Sequence, residues 1–328
     1  MHPLPRLPGA KGIAKPKVLL VDDHRGMLDR VSALLAGDFD IAAVATDGSQ
    51  AVDIASRVGP DVIVLDVNMP GLDGFHTKRA LDQAGSRAPV VFLSMVDADD
   101  HIGEAFRCGG RGYVIKSRVA LDLSGALDQV LHGRVFVPSL TSLFALTDGG
   151  GHAMQLHRGL EGFLDGLAAF CGHSLRRGDA MCVNATADVR EGLEHRLRAA
   201  GWAVGGPSRH RRYLAFDAGA ALSRIMRDGV PDPAVLAEIA SELDHFRLAT
   251  SESAGKRLTF FGNGIVPLIT GGNPRAAIAI EHEWSTLTAG LPFLTLCGYP
   301  VSCFHDQAPD LWSRACQEHW VVGHTTDA

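Results

Sequence analysis

The chain has 328 residues, a length that suits two domains better than one compact core. It is 46% hydrophobic and 21% charged, with a formal net charge of −6, a composition that is typical of ordered globular proteins. Residues 16–138 hold 12 Lys and Arg against 17 Asp and Glu, and residues 152–328 hold 16 against 19, so neither half has the positive excess of a protein that binds a phosphate backbone.

The N-terminal residues 1–15 contain Pro and Lys where a signal peptide needs a continuous apolar segment, so we expect a disordered leader. No apolar run approaches the roughly 18 residues that span a bilayer, which predicts no membrane partner. The cysteines form no CxxC pair, so the sequence predicts neither a zinc ribbon nor a disulfide framework. A reducing cytoplasm is the expected location.

From residue 16 to residue 138 the chain alternates short apolar runs with stretches of helical spacing. The runs KVLLVDD, DVIVLDV, PVVFLSMV and RGYVIKS predict strands, and RGMLDRVSALLAG, GFHTKRALDQAG and DHIGEAFRCGG predict helices. Short strands with helices between them imply right-handed crossovers and a parallel sheet that is covered on both faces. We therefore predict the α/β class, with two three-layer domains.

Residues 139–151, SLTSLFALTDGGG, interrupt this alternation and predict a glycine-rich linker. A second alternation begins near His152 and predicts another α/β domain over residues 152–305, followed by a C-terminal tail at 306–328. Its first predicted helix is HRGLEGFLDGLAAFCGHSLRRG, and ADVREGLEHRLRAAG is another. The remaining predicted elements are the strands DAMCVNAT, RYLAFDA, RLTFFGN and PFLTLCGY and the helices at 219–228, 233–249 and 275–289.

Polar and charged side chains follow the predicted strands of the first domain. Ligands of an open parallel sheet bind beyond the carboxyl ends of its strands, so these side chains should meet in one pocket. They are Asp22, Asp23, Asp66, Ser94 and Lys116. Three neighbouring carboxylates repel one another, which favours binding of a hard cation such as Mg²⁺. A carboxylate beside Mg²⁺ and a lysine is a suitable nucleophile towards phosphorus, because both cations neutralise the phosphoryl oxygens.

Residues 16–138 resemble the receiver domain of two-component response regulators, in particular the NarL-type subgroup. The resemblance rests on the acids of LLVDDH, the acid of VIVLDVNMPGLDGF, the hydroxyl of FLSM and the lysine of GYVIKS, in this order. It implies a flavodoxin-like, CheY-like fold with Asp66 as the phosphoacceptor. A histidine kinase is then the expected partner. Catalysis by this domain would be limited to its own phosphorylation and dephosphorylation.

The resemblance also implies a Mg²⁺ site beside the phosphoacceptor. Asp23, Asp66 and the backbone carbonyl of Asn68 would bind the ion, and Asp22 would act on it through water. Ser94 would hydrogen-bond the phosphoryl group. The same resemblance implies that Lys116 pairs with that group and that Tyr113 changes rotamer together with the hydroxyl. Alternatively, each of these residues taken alone could be a polar group at a strand end that is hydrogen-bonded by the N-terminus of a helix.

The second half lacks the motifs of a nucleotide or DNA binder. SESAGKRL contains Gly255 and Lys256 but no glycine five residues earlier and no strand leading into it, so ATP hydrolysis is not predicted. RHRR at 209–212 is one basic cluster in an acidic domain and indicates a solvated loop. Nucleic acid is therefore not the expected partner.

Residues 152–304 resemble the MEDS sensory domain (methanogen/methylotroph, DcmR-type). The likeness is carried by ATADVREGLEHRLRAAG, FDAGAALSRIMRDGVPDP, GNPRAAIAIEHEWSTL and PFLTLCGYPVSCF, in the family's order. It implies an α/β fold related to RecA and KaiC without the P-loop, and a role in sensing small molecules or relaying signals. The chain departs from the family at Asn263, where the family usually has a strand-end glutamate.

The strand ends of the second domain predict a polar pocket for a small ligand, with Glu281 leaning over it from a helix. The candidate residues are Asn184, Thr186, Asp217, Asn263, Glu281 and Tyr299. Alternatively these residues cap helices and close turns, as Asp217 would before AGAAL. Cys297 lies in an apolar strand, and we expect it to be inert.

The function that these patterns predict is that of a response regulator phosphorylated on Asp66. Its second domain would act through contact with a downstream protein or a small ligand, and homodimerisation is left open. One alternative is a transcription regulator that binds DNA through a surface formed on oligomerisation. Another is an enzyme with an unrecognised pocket in residues 152–328. The absent P-loop disfavours it, and so does Asn263, which stands where the family usually has a glutamate.

Overall fold

The computed structural model describes residues 14–146, 150–205, 210–304, 319 and 321–324. These residues form two compact units. The first unit contains the described residues up to Pro138 together with Ser142–Leu146, and the second contains Ser139–Thr141 and the described residues from 150 onwards. Within this described part of the chain, no helix has the length and apolarity needed to cross a bilayer.

The first unit alternates strands with helices along the chain. Its strands are β1 (Lys17–Val21), β2 (Asp40–Ala45), β3 (Val62–Asp66), β4 (Val90–Ser94), β5 (Gly112–Ile115) and β6 (Val135–Val137). Its helices are α1 (Arg25–Leu35), α2 (Gly48–Val58), α3 (Gly74–Gln83), α4 (Asp99–Arg107), α5 (Val119–Leu131) and α6 (Leu143–Leu146). The four strands and three helices that the sequence predicted in this unit are all confirmed.

The strands of this unit pair in parallel in the order β2-β1-β3-β4-β5-β6. The order 2-1-3-4-5 is that of the flavodoxin-like folds, in which the chain changes direction across the sheet between β1 and β3. A crevice therefore opens where the carboxyl ends of β1 and β3 lie side by side. The α/β prediction is confirmed, and the sheet order fixes where the polar strand ends meet.

Alternate residues of β1 show why the sheet is covered on both faces. Val18 and Leu20 pack with the buried residues of α1 and α5, whereas Leu19 and Val21 pack with those of α2, α3 and α4. All four side chains are at most 1% exposed. Each buried aliphatic side chain of this kind contributes roughly 1.5–3 kcal/mol to folding, so both helical layers are held by the same short strand.

The second unit is another layered α/β structure. Its strands are β7 (Gly151–His157), β8 (Ala180–Ala185), β9 (Tyr213–Asp217), β10 (Met226–Arg227), β11 (Val230–Pro231), β12 (Leu258–Gly262), β13 (Phe293–Pro300) and β14 (Val321–His324). Its helices are α7 (Leu160–Arg176), α8 (Ala187–Ala199), α9 (Ala218–Ile225), α10 (Pro233–Thr250), α11 (Val266–Thr270) and α12 (Pro274–Thr288). Six strands pair in parallel in the order β14-β7-β13-β12-β8-β9.

Four features of the second half differ from the expectation. The alternation begins with a strand, β7, which the pattern did not reveal because polar His152, Gln155 and His157 are buried within it. The helix expected at 219–228 ends at Ile225, because the next residue begins β10, which an Asp-Gly turn joins to β11.

The other two differences concern the predicted linker and tail. Residues 139–151 contain helix α6, whose Leu143 and Phe144 are buried, and they end on the first residue of β7. The tail contains strand β14, which pairs with β7. The exact domain limits stay predictions, because residues 147–149, 305–318, 320 and 325–328 lie outside the described residues.

Gly74, the first residue of α3, is packed against the end of β3. A Cβ atom at this position would lie 2.4 Å from the carbonyl oxygen of Asp66 and 2.8 Å from Cα of Val67. We expect Gly74→Ala to lower the free energy of unfolding by about 1–3 kcal/mol, because backbone atoms cannot move aside without strain.

Gly26→Ala is the matched control for this change. A Cβ atom on Gly26, in α1, would meet nothing within 4 Å, and alanine favours a helix over glycine by up to about 1 kcal/mol. Urea unfolding of the full chain, followed by circular dichroism, compares the two variants. Equal midpoints for both would contradict the tight packing of Gly74.

Candidate functional site

A buried ion-pair triad lies at the carboxyl end of the first sheet. Asp22 follows β1, Asp66 is the last residue of β3, and Lys116 follows β5. The Lys116 Nζ atom lies 2.7 Å from Asp22 Oδ2 and 2.8 Å from Asp66 Oδ2. Both aspartates are 2% exposed. The parallel topology therefore brings together three residues, of which the first and the last are 94 positions apart in sequence.

Burial and charge act in opposite directions on this triad. Burial raises the pKa of Asp66 above its ordinary value, and the ammonium of Lys116 offsets only part of that rise. Burial alone would lower the pKa of Lys116, but its bonds to Asp22 and Asp66 raise it above its usual value. Lys116 therefore stays charged while the site remains strongly desolvated.

The remaining acid of the pair, Asp23, lies at the outer side of the triad with a quarter of its side chain exposed. The backbone N–H of His24 donates to Asp22 Oδ1 at 2.9 Å. Ligand atoms of Asp22, Asp23 and His24 lie within 4.8 Å of one another. The Asn68 N–H donates to Asp66 Oδ1 at 3.2 Å. This set of carboxylate oxygens fits Mg²⁺, which prefers oxygen ligands and retains water in its shell.

Ser94 and Tyr113 both contact Val96, in the segment after β4. Ser94 Oγ accepts a hydrogen bond from the Val96 N–H at 3.0 Å. The Tyr113 hydroxyl donates to the Val96 carbonyl at 2.7 Å. Both side chains are fully buried, and burial raises the pKa of Tyr113. The sequence did not indicate Val96, because its backbone, and not its side chain, makes these contacts.

The six residues predicted to share a pocket in the second unit form three groups by their hydrogen bonds. Asn184, Thr186 and Asn263 meet at the carboxyl ends of β8 and β12. There Asn263 Oδ1 accepts from the Thr186 N–H at 2.9 Å, and the Asn263 N–H donates to the Asn184 carbonyl at 3.1 Å. Asp217 caps α9 by accepting from the Ala220 N–H at 3.1 Å. Asp217 thus has the capping role of the alternative, and it also lines the cavity of this unit.

A cavity of about 380 Å³ lies in the second unit. Among the predicted pocket residues, Asn184, Asp217 and Glu281 line it, together with mainly apolar side chains such as Leu236 and Phe260. Thr186 and Asn263 bond to each other instead. The cavity is therefore apolar over most of its wall and polar at a few positions, which is the usual form of a small-molecule site.

The third group, Glu281 and Tyr299, belongs to a buried cluster with three residues that were not predicted. These are His152, Cys297 and His319. His152 Nε2 lies 3.2 Å from both Glu281 Oε2 and Cys297 Sγ, and His319 Nε2 lies 3.5 Å from Glu281 Oε2. The Tyr299 hydroxyl donates to Glu281 Oε1.

The surroundings of this cluster shift the pKa values of its ionisable groups. Burial alone would raise the pKa of Glu281, but the hydrogen bond with His152 and the neighbouring charge of His319 hold it well below its ordinary value. Burial raises the pKa of Cys297 and of Tyr299. Glu281 is thus a carboxylate that its neighbours keep ionised although it is 6% exposed.

Sequence spacing gave no indication of this cluster, because its members lie on β7, α12, β13 and the segment before β14. Strand register would have indicated part of it. His152 pairs with Thr295, so Cys297, two residues further along β13, projects from the same face of the sheet. The prediction that Cys297 is inert agrees with its burial and raised pKa, but the sequence did not indicate its contact with His152.

Two family models match the chain. One describes a response regulator receiver domain and matches residues 18–127. The other describes the MEDS domain (MEthanogen/methylotroph, DcmR Sensory domain) and matches residues 151–312. The chain belongs to the response regulators. The receiver match lies within the first α/β unit and the MEDS match lies within the second.

Curated relatives agree on the receiver domain. The nitrate/nitrite response regulator protein homolog of Haemophilus influenzae is 33% identical over 38% of this chain and 60% of its own length. The Fimbriae Z protein of Salmonella typhimurium is 30% identical over 41% of this chain and 67% of its own length. The chain spans between 55% and 61% of the length of the first curated relatives that it matches.

Among solved structures, the chemotaxis protein CheY4 of Vibrio cholerae is 29% identical, with a TM-score of 0.33. The match covers 36% of this chain and 99% of that one.

Lys116→Met removes the cation that two buried carboxylates share. We expect the free energy of unfolding to fall by about 3 kcal/mol at neutral pH, because the change leaves buried charge without compensation. Without the ammonium, the pKa of Asp66 rises further. A raised pKa in the folded state gives stability that is present at low pH and lost as the pH rises, so the loss should be smaller at about pH 5 than at about pH 7.5.

Lys17→Met is the control, since Lys17 is exposed at the start of β1. This substitution should change stability by no more than about 0.5 kcal/mol. Urea unfolding at the two pH values measures both variants. A Lys116→Met loss that is equal at the two pH values would show that the ammonium does not stabilise ionised carboxylates.

Proposed function

We propose that a histidine kinase transfers a phosphoryl group to Asp66 and that the MEDS domain delivers the output. The observation that carries the proposal is the buried Asp66 carboxylate with Lys116 Nζ at 2.8 Å. A structural ion pair needs one carboxylate for one ammonium, whereas here two buried carboxylates share it. The excess negative charge at this point favours a second cation, and the partly buried Asp23 beside it gives that cation a ligand.

In this proposal the chain's own residues orient and activate the acceptor oxygen. The Asn68 N–H donates a hydrogen bond to Asp66 Oδ1, and Lys116 contacts Oδ2. After transfer, the Lys116 ammonium can pair with the phosphoryl oxygens instead. Asp23, Asp66 and the Asn68 carbonyl would hold Mg²⁺, and Asp22 would contact it through water. Bound Mg²⁺ supplies neutralisation of the phosphoryl oxygens.

The switch would pass through the segment after β4. A phosphoryl group adds about −1.5 to −2 charges and three strong acceptor oxygens, and the Ser94 hydroxyl can donate to one of them. Ser94 Oγ now accepts from the Val96 N–H, so a change at Ser94 alters the position of Val96. Because Tyr113 bonds the Val96 carbonyl, its hydroxyl would respond to the same displacement.

Phosphorylation itself is tested with Asp66→Asn, which keeps the shape of the side chain but removes the nucleophilic carboxylate. Incubation of the full chain with acetyl phosphate and Mg²⁺ should add one phosphoryl group, measured by intact mass under acid conditions that preserve acyl phosphates. We expect Asp66→Asn to reduce this incorporation at least tenfold. The reason is that no other described carboxylate has the same set of neighbours.

Asp53→Asn is the control, because Asp53 is exposed on α2 and its loss should leave incorporation unchanged. Unaltered incorporation in Asp66→Asn would exclude Asp66 as the acceptor.

Coupling between the two domains has a direct optical readout. All four tryptophans, Trp202, Trp284, Trp312 and Trp320, lie outside residues 16–138. A fluorescence change on adding beryllofluoride, a phosphoryl mimic, with Mg²⁺ would therefore report the MEDS part of the chain. We expect this change in the wild type and not in Asp66→Asn. Amide exchange that is altered in the receiver domain, with unchanged tryptophan fluorescence, would contradict output through the MEDS domain.

A further inference from the structure

The buried cluster of the second unit contains the donor set of a transition-metal site. His152, Glu281, Cys297 and His319 each present one ligand atom, and all four atoms lie within 4.8 Å of one another. Imidazole nitrogen, thiolate sulfur and carboxylate oxygen are the ligands that Zn²⁺ takes in proteins. We propose that these four residues bind one Zn²⁺ ion.

The distances between the ligand atoms suit a tetrahedral ion. With zinc bonds of about 2.0–2.3 Å, the edges of a tetrahedron measure roughly 3.3–3.6 Å. His152 Nε2 lies 3.2 Å from Cys297 Sγ and 3.2 Å from Glu281 Oε2. Glu281 Oε2 lies 3.5 Å from His319 Nε2 and 3.6 Å from Cys297 Sγ. Four of the six edges therefore already have nearly the required length.

The neighbours of the ligands hold them in the orientation that a metal requires. His152 Nδ1 lies 3.1 Å from Ser285 Oγ, which directs Nε2 towards the cluster. The Tyr299 hydroxyl bonds to Glu281 Oε1, which leaves Oε2 facing the two histidines and the thiol. Metal-binding histidines and carboxylates almost always have such outer partners.

The cavity gives this site an entry path. Glu281 and Cys297 line the cavity as well as the cluster, so an ion can reach the ligand atoms without unfolding of the sheet. The site also joins four separate parts of the domain, namely β7, α12, β13 and the segment before β14. Zinc would therefore fix β14 to the centre of the second unit, independently of the state of Asp66.

Cobalt titration of the full chain tests the site. Chelator-treated protein is titrated with Co²⁺ in excess Mg²⁺, so that Mg²⁺ occupies the receiver carboxylates. We expect one equivalent of Co²⁺ to give the intense visible bands of tetrahedral cobalt and an ultraviolet thiolate-to-cobalt band, and one equivalent of Zn²⁺ to abolish both. The absence of both bands in the wild type would overturn the proposal.

Two cysteine variants locate the ligand. Cys297→Ala should lose the thiolate band, whereas Cys182→Ala, which changes another buried cysteine, on β8, should keep it. Circular dichroism shows whether each variant folds. A thiolate band that persists in folded Cys297→Ala would place the metal elsewhere and refute the site.

Ser285→Ala provides a test that leaves all four ligands intact. Removing an outer hydrogen-bond partner of a metal ligand costs about 10–100-fold in metal affinity, so Zn²⁺ competition against Co²⁺ should show at least a tenfold loss. An affinity equal to that of the wild type would contradict binding through His152 Nε2.

Discussion

The receiver domain depends on one ammonium group that two buried carboxylates share. Removing three charges from water costs several kcal/mol for each ion, and only short, well-directed contacts offset that cost. The contacts exist because β1, β3 and β5 end at the same edge of one parallel sheet. The apolar strands and helices of the domain thus hold a small region of uncompensated negative charge in a fixed position. That region is where we propose that Mg²⁺ binds and that Asp66 accepts the phosphoryl group.

The MEDS domain meets the same physical constraint at a different place. Its buried Glu281 is surrounded by His152, His319 and the Tyr299 hydroxyl, and the group lies on a face of the sheet under α12, not at the strand ends. The polar residues at the strand ends, such as Asn263, bond mainly to one another. The carboxyl ends of the strands therefore hold both residues that bond to each other, Thr186 and Asn263, and residues that line the cavity, Asn184 and Asp217.

The sequence predicted four strands and three helices of the receiver domain but not β2, β6, α2, α5 and α6. Its polar strand ends were the easiest part to locate, because Asp22, Asp66 and Lys116 each end or directly follow an apolar run. Local patterns then suffice to locate the strand ends, and parallel topology brings those ends together. The prediction was poorer for the MEDS domain for physical reasons. Polar His152 and His157 obscured β7, and the cluster forms only through pairing of β7 with β13. Val96 and Ser285 could not be predicted from spacing, since one acts through its backbone and the other contacts a residue 133 positions away.

The alternation of β1 has a consequence for how this protein can change over evolution. Asp22 and Asp23 directly follow the strand, and successive residues of a strand point to opposite sides of the sheet. Inserting or deleting one residue in β1 would exchange the inner and outer acids and, at the same time, the two apolar faces. The fold can tolerate single substitutions in β1, but it cannot tolerate an insertion or a deletion there. Its length should accordingly be among the least variable properties of the chain.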